Sequence, residues 1–86
     1  MGLKAETEES IKDAAEKRQE ILDEANKGNI VIPADALTKF DKLISQANEL
    51  FVKENYQGAT QLAEQAEKDL EKTFEATSTE NETERE

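Results

Sequence analysis

"KENYQGATQLAEQAEKDLEK" (residues 53–72) holds a short polar corner followed by Tyr56, Ala59, Leu62, Ala63, Ala66 and Leu70 at three- and four-residue steps. That spacing puts the apolar residues on one stripe of a helix, with Glu64, Glu67, Lys68 and Glu71 elsewhere on its surface. The first half of the stripe is mostly alanine, so the backbone of this helix must approach its neighbour closely. With Phe74 added, the stripe predicts a third helix over about 56–75.

Upstream of the corner, Ala36, Leu37, Phe40, Leu43, Ile44, Ala47, Leu50 and Phe51 repeat at helical spacing, the most apolar stripe of the chain. They predict a second helix over about 33–54, opened by Pro33 with Asp35 in its first turn. A stripe this wide needs two neighbours to cover it. Before it, "GNIVIPAD" (residues 28–35) is too isolated to be a strand, and Pro33 drives Ile32 out of the helical region. It reads as an extended crossover whose isoleucines plug one end of a bundle. A first helix over about 6–27 follows from Ile11, Ala14, Ala15, Ile21, Leu22 and Ala25. Thr7 or Ser10 would cap its start and Gly28 would stop it. Residues 1–5 and the acidic, aperiodic "TSTENETERE" (residues 77–86) are expected to be disordered.

Across residues 36–74, Ala47, Leu50, Tyr56, Ala59, Ala63 and Ala66 are spaced as in a single tetratricopeptide-like α-hairpin, which this segment resembles. It is similar as well to helical hairpins of bacterial envelope and surface proteins. The resemblance implies a close helix crossing marked by Ala47 and Ala59, with Tyr56 wedged into the corner. The chain departs from the tetratricopeptide pattern at two places, since Glu54 and Glu71 stand where a turn glycine and a terminal proline are usual. An array needs about three repeats to bury a continuous surface, and no second copy of the phrase exists here. One hairpin covered by the first helix remains: an all-α, up-down-up three-helix bundle.

Composition narrows the function. The 86 residues form at most one small domain. Twenty-one acidic residues against 11 basic ones give a net charge of −10, which opposes direct binding to nucleic acid or an anionic membrane surface. There is no cysteine and no histidine, hence no disulfide, no thiolate zinc site and no histidine base. No apolar run is long enough to span a membrane, and "MGLKAETEES" does not read as a signal peptide. The chain is expected to be soluble, either cytoplasmic or part of an exported protein.

The acidic groups Glu16, Glu20, Asp23, Glu24 and Glu64, Glu67, Glu71 invite a metal reading, but bundle metal sites pair glutamates with a Glu-x-x-His motif that is missing here. Interleaved lysines make them solvated faces with i,i+4 pairs. "DEANKGN" (residues 23–29) fails as a calcium loop, because Ala25, Lys27 and Ala34 fill positions that need oxygen ligands. Ser10, Ser45 and Lys42 have only carboxylates as candidate bases, so no nucleophile is set up. Lys39 and Lys42 beside Phe40 are too few to hold a nucleic acid against the overall charge. Asn81–Thr83 matches a glycosylation sequon, a pattern too short to carry a function.

The sequence thus points to a non-enzymatic interaction or structural module without cofactor or metal. Its partner is expected to be another protein or a second copy of itself, met through the part of the second helix left uncovered. Leu37, Phe40, Ile44, Leu50 and Phe51 are the contact candidates, because the outer helices offer few large side chains to cover them. The helix-crossing residues are Ala47, Tyr56 and Ala59. Two alternatives are a self-associating spacer from an envelope or surface protein and an acidic inhibitor of a basic nucleic-acid-binding protein.

Overall fold

The computed structural model describes the backbone of residues 2–85 and the side chains of residues 3–78. Three helices account for nearly all of it: α1 (Gly2–Lys27), α2 (Ala34–Val52) and α3 (Tyr56–Arg85). Among the described residues there is no strand. Cross-helix contacts fix the directions. Thr7 of α1 meets Tyr56 and Thr60 of α3, and Lys17 meets Glu71, so α1 and α3 run parallel. Arg18 meets Asp41 while Ile11 lies beside Asn48 and Phe51, so α2 runs against α1. The order is up-down-up, in a body of 51 × 21 × 15 Å.

Two helix starts differ from the sequence expectation. α1 begins at Gly2, four residues early, so most of the segment expected to be disordered is its first turn. The cause is Thr7, which is no cap: it lies fully buried inside α1 and ties that turn to α3. Its hydroxyl oxygen lies 2.8 Å from the Leu3 carbonyl, 3.0 Å from the Tyr56 carbonyl and 2.8 Å from the Thr60 hydroxyl, so its one hydrogen is shared among acceptors on two helices. A buried hydroxyl must be satisfied in this way, and the partners come from two helices. Pro33 precedes α2 as its N-cap, with extended backbone (φ −57°, ψ 137°), rather than forming its first residue. α3 continues past 75 to Arg85, with Thr77 and Ser78 half-buried. From residue 79 on, the side chains of the expected tail lie outside the described residues.

The core is one cluster joining Ala14, Ile21 and Ala25 of α1, Phe40 of α2, and Ala63, Ala66 and Leu70 of α3. Ile32 closes one end, Ile30 packs beside it, and Val31 points away at 81% exposure. The crossover therefore plugs the bundle with alternate side chains, as extended backbone dictates.

Both connections are built on the same helix ending. After α1, Ile30 N–H donates to the Ala25 carbonyl (2.8 Å) and Asn29 N–H to that of Asn26 (3.3 Å). After α2, Asn55 N–H donates to the Leu50 carbonyl (2.8 Å) and Glu54 N–H to that of Phe51 (3.0 Å). These are paired Schellman motifs, whose penultimate residue must be left-handed. Asn29 (φ 58°) and Glu54 (φ 66°) hold those positions. Gly28 stops α1 only as the residue before the left-handed one, and its own φ is not positive.

Asparagine tolerates the left-handed region, whereas glutamate has no local hydrogen bond to offset its Cβ clash. Glu54→Gly should therefore stabilise the fold by about 1 kcal/mol, net of glycine's extra freedom when unfolded. Asn29→Gly should change it by only a few tenths. Urea midpoints of the two variants check this; equal shifts would mean that Glu54 is not strained.

Candidate functional site

Of the contact candidates, Phe40 is not a surface residue. It is 4% exposed and sits in the core cluster, so its assignment to a partner surface is corrected. The reason is helix approach: alanines at 14, 63 and 66 are fully enclosed, so α1 and α3 come near enough to wrap one large ring with small side chains. Arg18 adds to the cover, its guanidinium carbon 5.9 Å from the centre of the Phe40 ring. Leu37 and Ile44 are half-buried against the core, and Leu50 and Phe51 are half-buried near the α2–α3 turn. Ala47 and Ala59 are completely enclosed. The Tyr56 ring meets Phe51 edge-on, with centroids 5.5 Å apart and planes at 63°.

α3 packs along both other helices, whereas α1 and α2 touch each other little. The seam between them is thus the least covered side of the bundle. Its α1 wall is the stripe Ile11, Ala15, Arg18 and Leu22, and its α2 wall the stripe Leu37, Asp41, Ile44, Asn48 and Phe51, by helical spacing. Halfway along, Arg18 Nε lies 3.2 Å from Asp41 Oδ1 and its Nη2 donates to Asp41 Oδ2 at 3.4 Å. The Nε contact is misaligned for a hydrogen bond, so the pair is chiefly one of charge. It bridges the seam and divides it. On the side toward the α2–α3 turn the seam opens into a groove of about 480 Å³ lined by Glu8, Glu9, Ile11, Lys12, Asn48 and Phe51. Ala15, between Ile11 and Arg18, is exposed.

The other side faces are less promising. Between α2 and α3, Ala36, Phe40, Ala66 and Leu70 floor a hollow of about 240 Å³, with Lys39 and Asp69 at its edge. Lys39 Nζ is 3.5 Å from Asp69 Oδ2, long for a hydrogen bond, so that pair holds by charge across partly exposed surface. A hollow this small suits one side chain rather than a small-molecule ligand.

Between α1 and α3, Asp13, Glu16, Glu20, Glu67 and Glu71 gather around Lys17, which lies 3.8 Å from Glu71. Burial, and then the charges of Asp13 and Glu71, push the Glu67 carboxyl above the ordinary carboxylate range, with Lys17 opposing and Glu64 adding to the rise. No group of three or more acidic side chains among the described residues is arranged to hold a metal ion.

A raised carboxyl value means that folding favours the protonated form. The associated stability is complete below the unfolded-state value and is lost as pH rises through the folded-state value. Glu67→Gln should therefore stabilise the protein at neutral pH, by less than about 1 kcal/mol because the group is partly solvated. The gain should vanish in acid, where wild-type Glu67 is protonated too. Glu75→Gln, on exposed surface, is the charge-matched control. Melting curves across pH check both; a gain independent of pH would refute the origin in Glu67 titration.

The spacing rules identified the stripes but missed Thr7 and the weak α1–α2 contact. A polar residue on an apolar stripe (Thr7, Ala14, Ile21) was the available signal for the first. No helix among the described residues is long and apolar enough to cross a membrane. No protein-family model, curated protein or solved structure matches the chain.

Proposed function

We propose that this protein is a non-enzymatic interaction module whose α1–α2 groove receives an amphipathic helix from a protein partner. One observation carries the reading: α1 and α2 barely touch, so Ile11 and Phe51 floor an open groove, whereas α3 packs closely along both other helices. A helix laid there would complete a four-helix arrangement and cover half-buried apolar side chains in the helix-in-groove manner. Of the α2 candidates, Phe51 lines this groove and Ile44 stands on the same wall, joined by Ile11, whereas Leu50 faces Gly58 of α3 and Leu37 lies beyond the Arg18–Asp41 bridge. In this reading the α2–α3 unit serves as a tetratricopeptide-like hairpin, a scaffold suited to holding helices side by side.

The test uses an exposed position on the α1 wall of the seam, between Ile11, which lines the groove, and Arg18, which closes it. Ala15→Arg should leave the fold intact and abolish capture of a partner by the cross-linked chain, whereas Gln65→Arg, on exposed α3 surface, should not. Equal capture by both variants would refute the groove. Sedimentation over a wide concentration range separates the self-associating alternative, which predicts a mass that rises with concentration and falls back in Ala15→Arg.

A further inference from the structure

We infer that the groove's occupant is a basic amphipathic helix, docked at the turn end of the bundle, with the Glu54 carboxylate meeting one of its cations. This rests on the groove reading and adds the partner's chemistry and a specific contact. The same helix ending occurs twice in the chain, with Asn29 left-handed in one and Glu54 in the other. The fold asks only for a backbone N–H and a tolerant residue there, and glycine or asparagine would serve it better. Glu54 is exposed and forms no ion pair among the described residues, so its side chain does nothing for the fold that would offset the strain. Strain of this kind, observed first, is a pointer to function.

The surroundings agree. Val52 is 80% exposed and Leu3 62% exposed, the largest apolar exposures besides Val31 at the far end. Both sit at the turn end: the Thr7 hydroxyl reaches the carbonyls of Leu3 and Tyr56, and Tyr56 packs on Phe51, next to Val52. Here the groove has its mouth. Glu8, Glu9 and Lys12 line it, Glu49 and Lys53 line an adjoining hollow that shares Asn48 with it, and Glu54 follows in the turn, so carboxylates outnumber lysines four to two. Apolar side chains ringed by carboxylates fit a helix with an apolar stripe flanked by lysine or arginine. A second copy, with its own charge of −10, is repelled from this rim, so the occupant is a different chain.

The isotope-labelled full chain is titrated with three synthetic peptides: a leucine/lysine amphipathic helix, the same composition with its pattern scrambled, and a leucine/glutamate amphipathic helix. The first should shift the amides of Ile11, Asn48, Phe51, Val52 and Glu54; the other two should not. Glu54→Gly should raise the melting temperature yet weaken binding of the leucine/lysine helix by about two- to fivefold, the reach of one partly exposed ion pair. Stability and affinity moving in opposite directions is a signature that a purely structural residue does not give. Unchanged affinity in Glu54→Gly overturns the role of Glu54. Equal binding of the scrambled peptide reduces the effect to bulk charge and overturns the inference. Groove shifts with the leucine/glutamate helix overturn the basic partner but keep the groove, whereas no groove shift with any peptide refutes the groove reading itself.

Discussion

Phe40→Ala is expected to cost about 3–5 kcal/mol, the range for removing a buried aromatic ring from a packed core. A chain of 86 residues has roughly 4–13 kcal/mol in all at the usual stability per residue. The variant should thus be largely unfolded at moderate urea, and at the lower end of that range unfolded in water. Phe40 belongs to the same core cluster as Ala14 and Ile21 of α1, lines a hollow with Ala66 and Leu70 of α3, and lies under the Arg18 guanidinium. Alanine there would leave a cavity that two alanine-lined helices cannot close without losing their own contacts. Circular dichroism against urea checks the cost. A midpoint near that of wild type, combined with weakened partner binding, would return Phe40 to the surface role that its position on the α2 stripe suggested.

That contrast shows what the sequence could convey. The alternation of three- and four-residue steps in Ala59, Ala63, Ala66 and Leu70, and in Phe40 and Ala47, made the helices and their inward faces legible, because burial follows the 3.6-residue period. Pro33, Gly28 and the polar corner at 53–57 marked the connections to within a few residues, although neither left-handed residue, Asn29 or Glu54, was legible. The close approach of α3 was legible in its alanines, but its consequence for the cover of α2 was not. Counting large side chains suggested that α2 would be left bare, but alanine acts by bringing backbones together, so fewer large groups cover more surface. Phe40 was lost to the core for that reason, while Ile11 entered the candidate site. Ile11 looked like one more core residue of α1, and only the unequal pairing of the three helices leaves it facing a groove. Pairing strength is a tertiary property, decided by all three stripes at once, and no single stripe carries it.

Ala59→Leu tests the close approach itself. The contacts of Lys39 with Asp69 and of Leu50 with Gly58 set the α2–α3 register, in which Ala47 lies level with position 61, between Ala59 and Ala63. All three alanines are fully enclosed. Space is short at this end of the hairpin: a Cβ placed on Gly58 would come within 3.1 Å of Leu50 Cδ1 and of the Asn55 Oδ1 that caps α3. A leucine at 59 must displace α2 or leave its preferred rotamer, so it should destabilise by about 1–3 kcal/mol. Gln61→Leu, two residues on and on the opposite, exposed face of α3, should change stability by no more than about 0.5 kcal/mol. The pair of variants separates crowding from helix propensity, since leucine is a good helix former at both positions. Destabilisation at 59 alone fixes the alanine ladder as the hinge line of the α2–α3 hairpin. It would also show why the opening lies between α1 and α2, since a hairpin clasped this tightly leaves α1 free to lean on α3. Equal, small effects at 59 and 61 would place α3 in another register, and the groove mouth beside Phe51 would have to be redrawn with it.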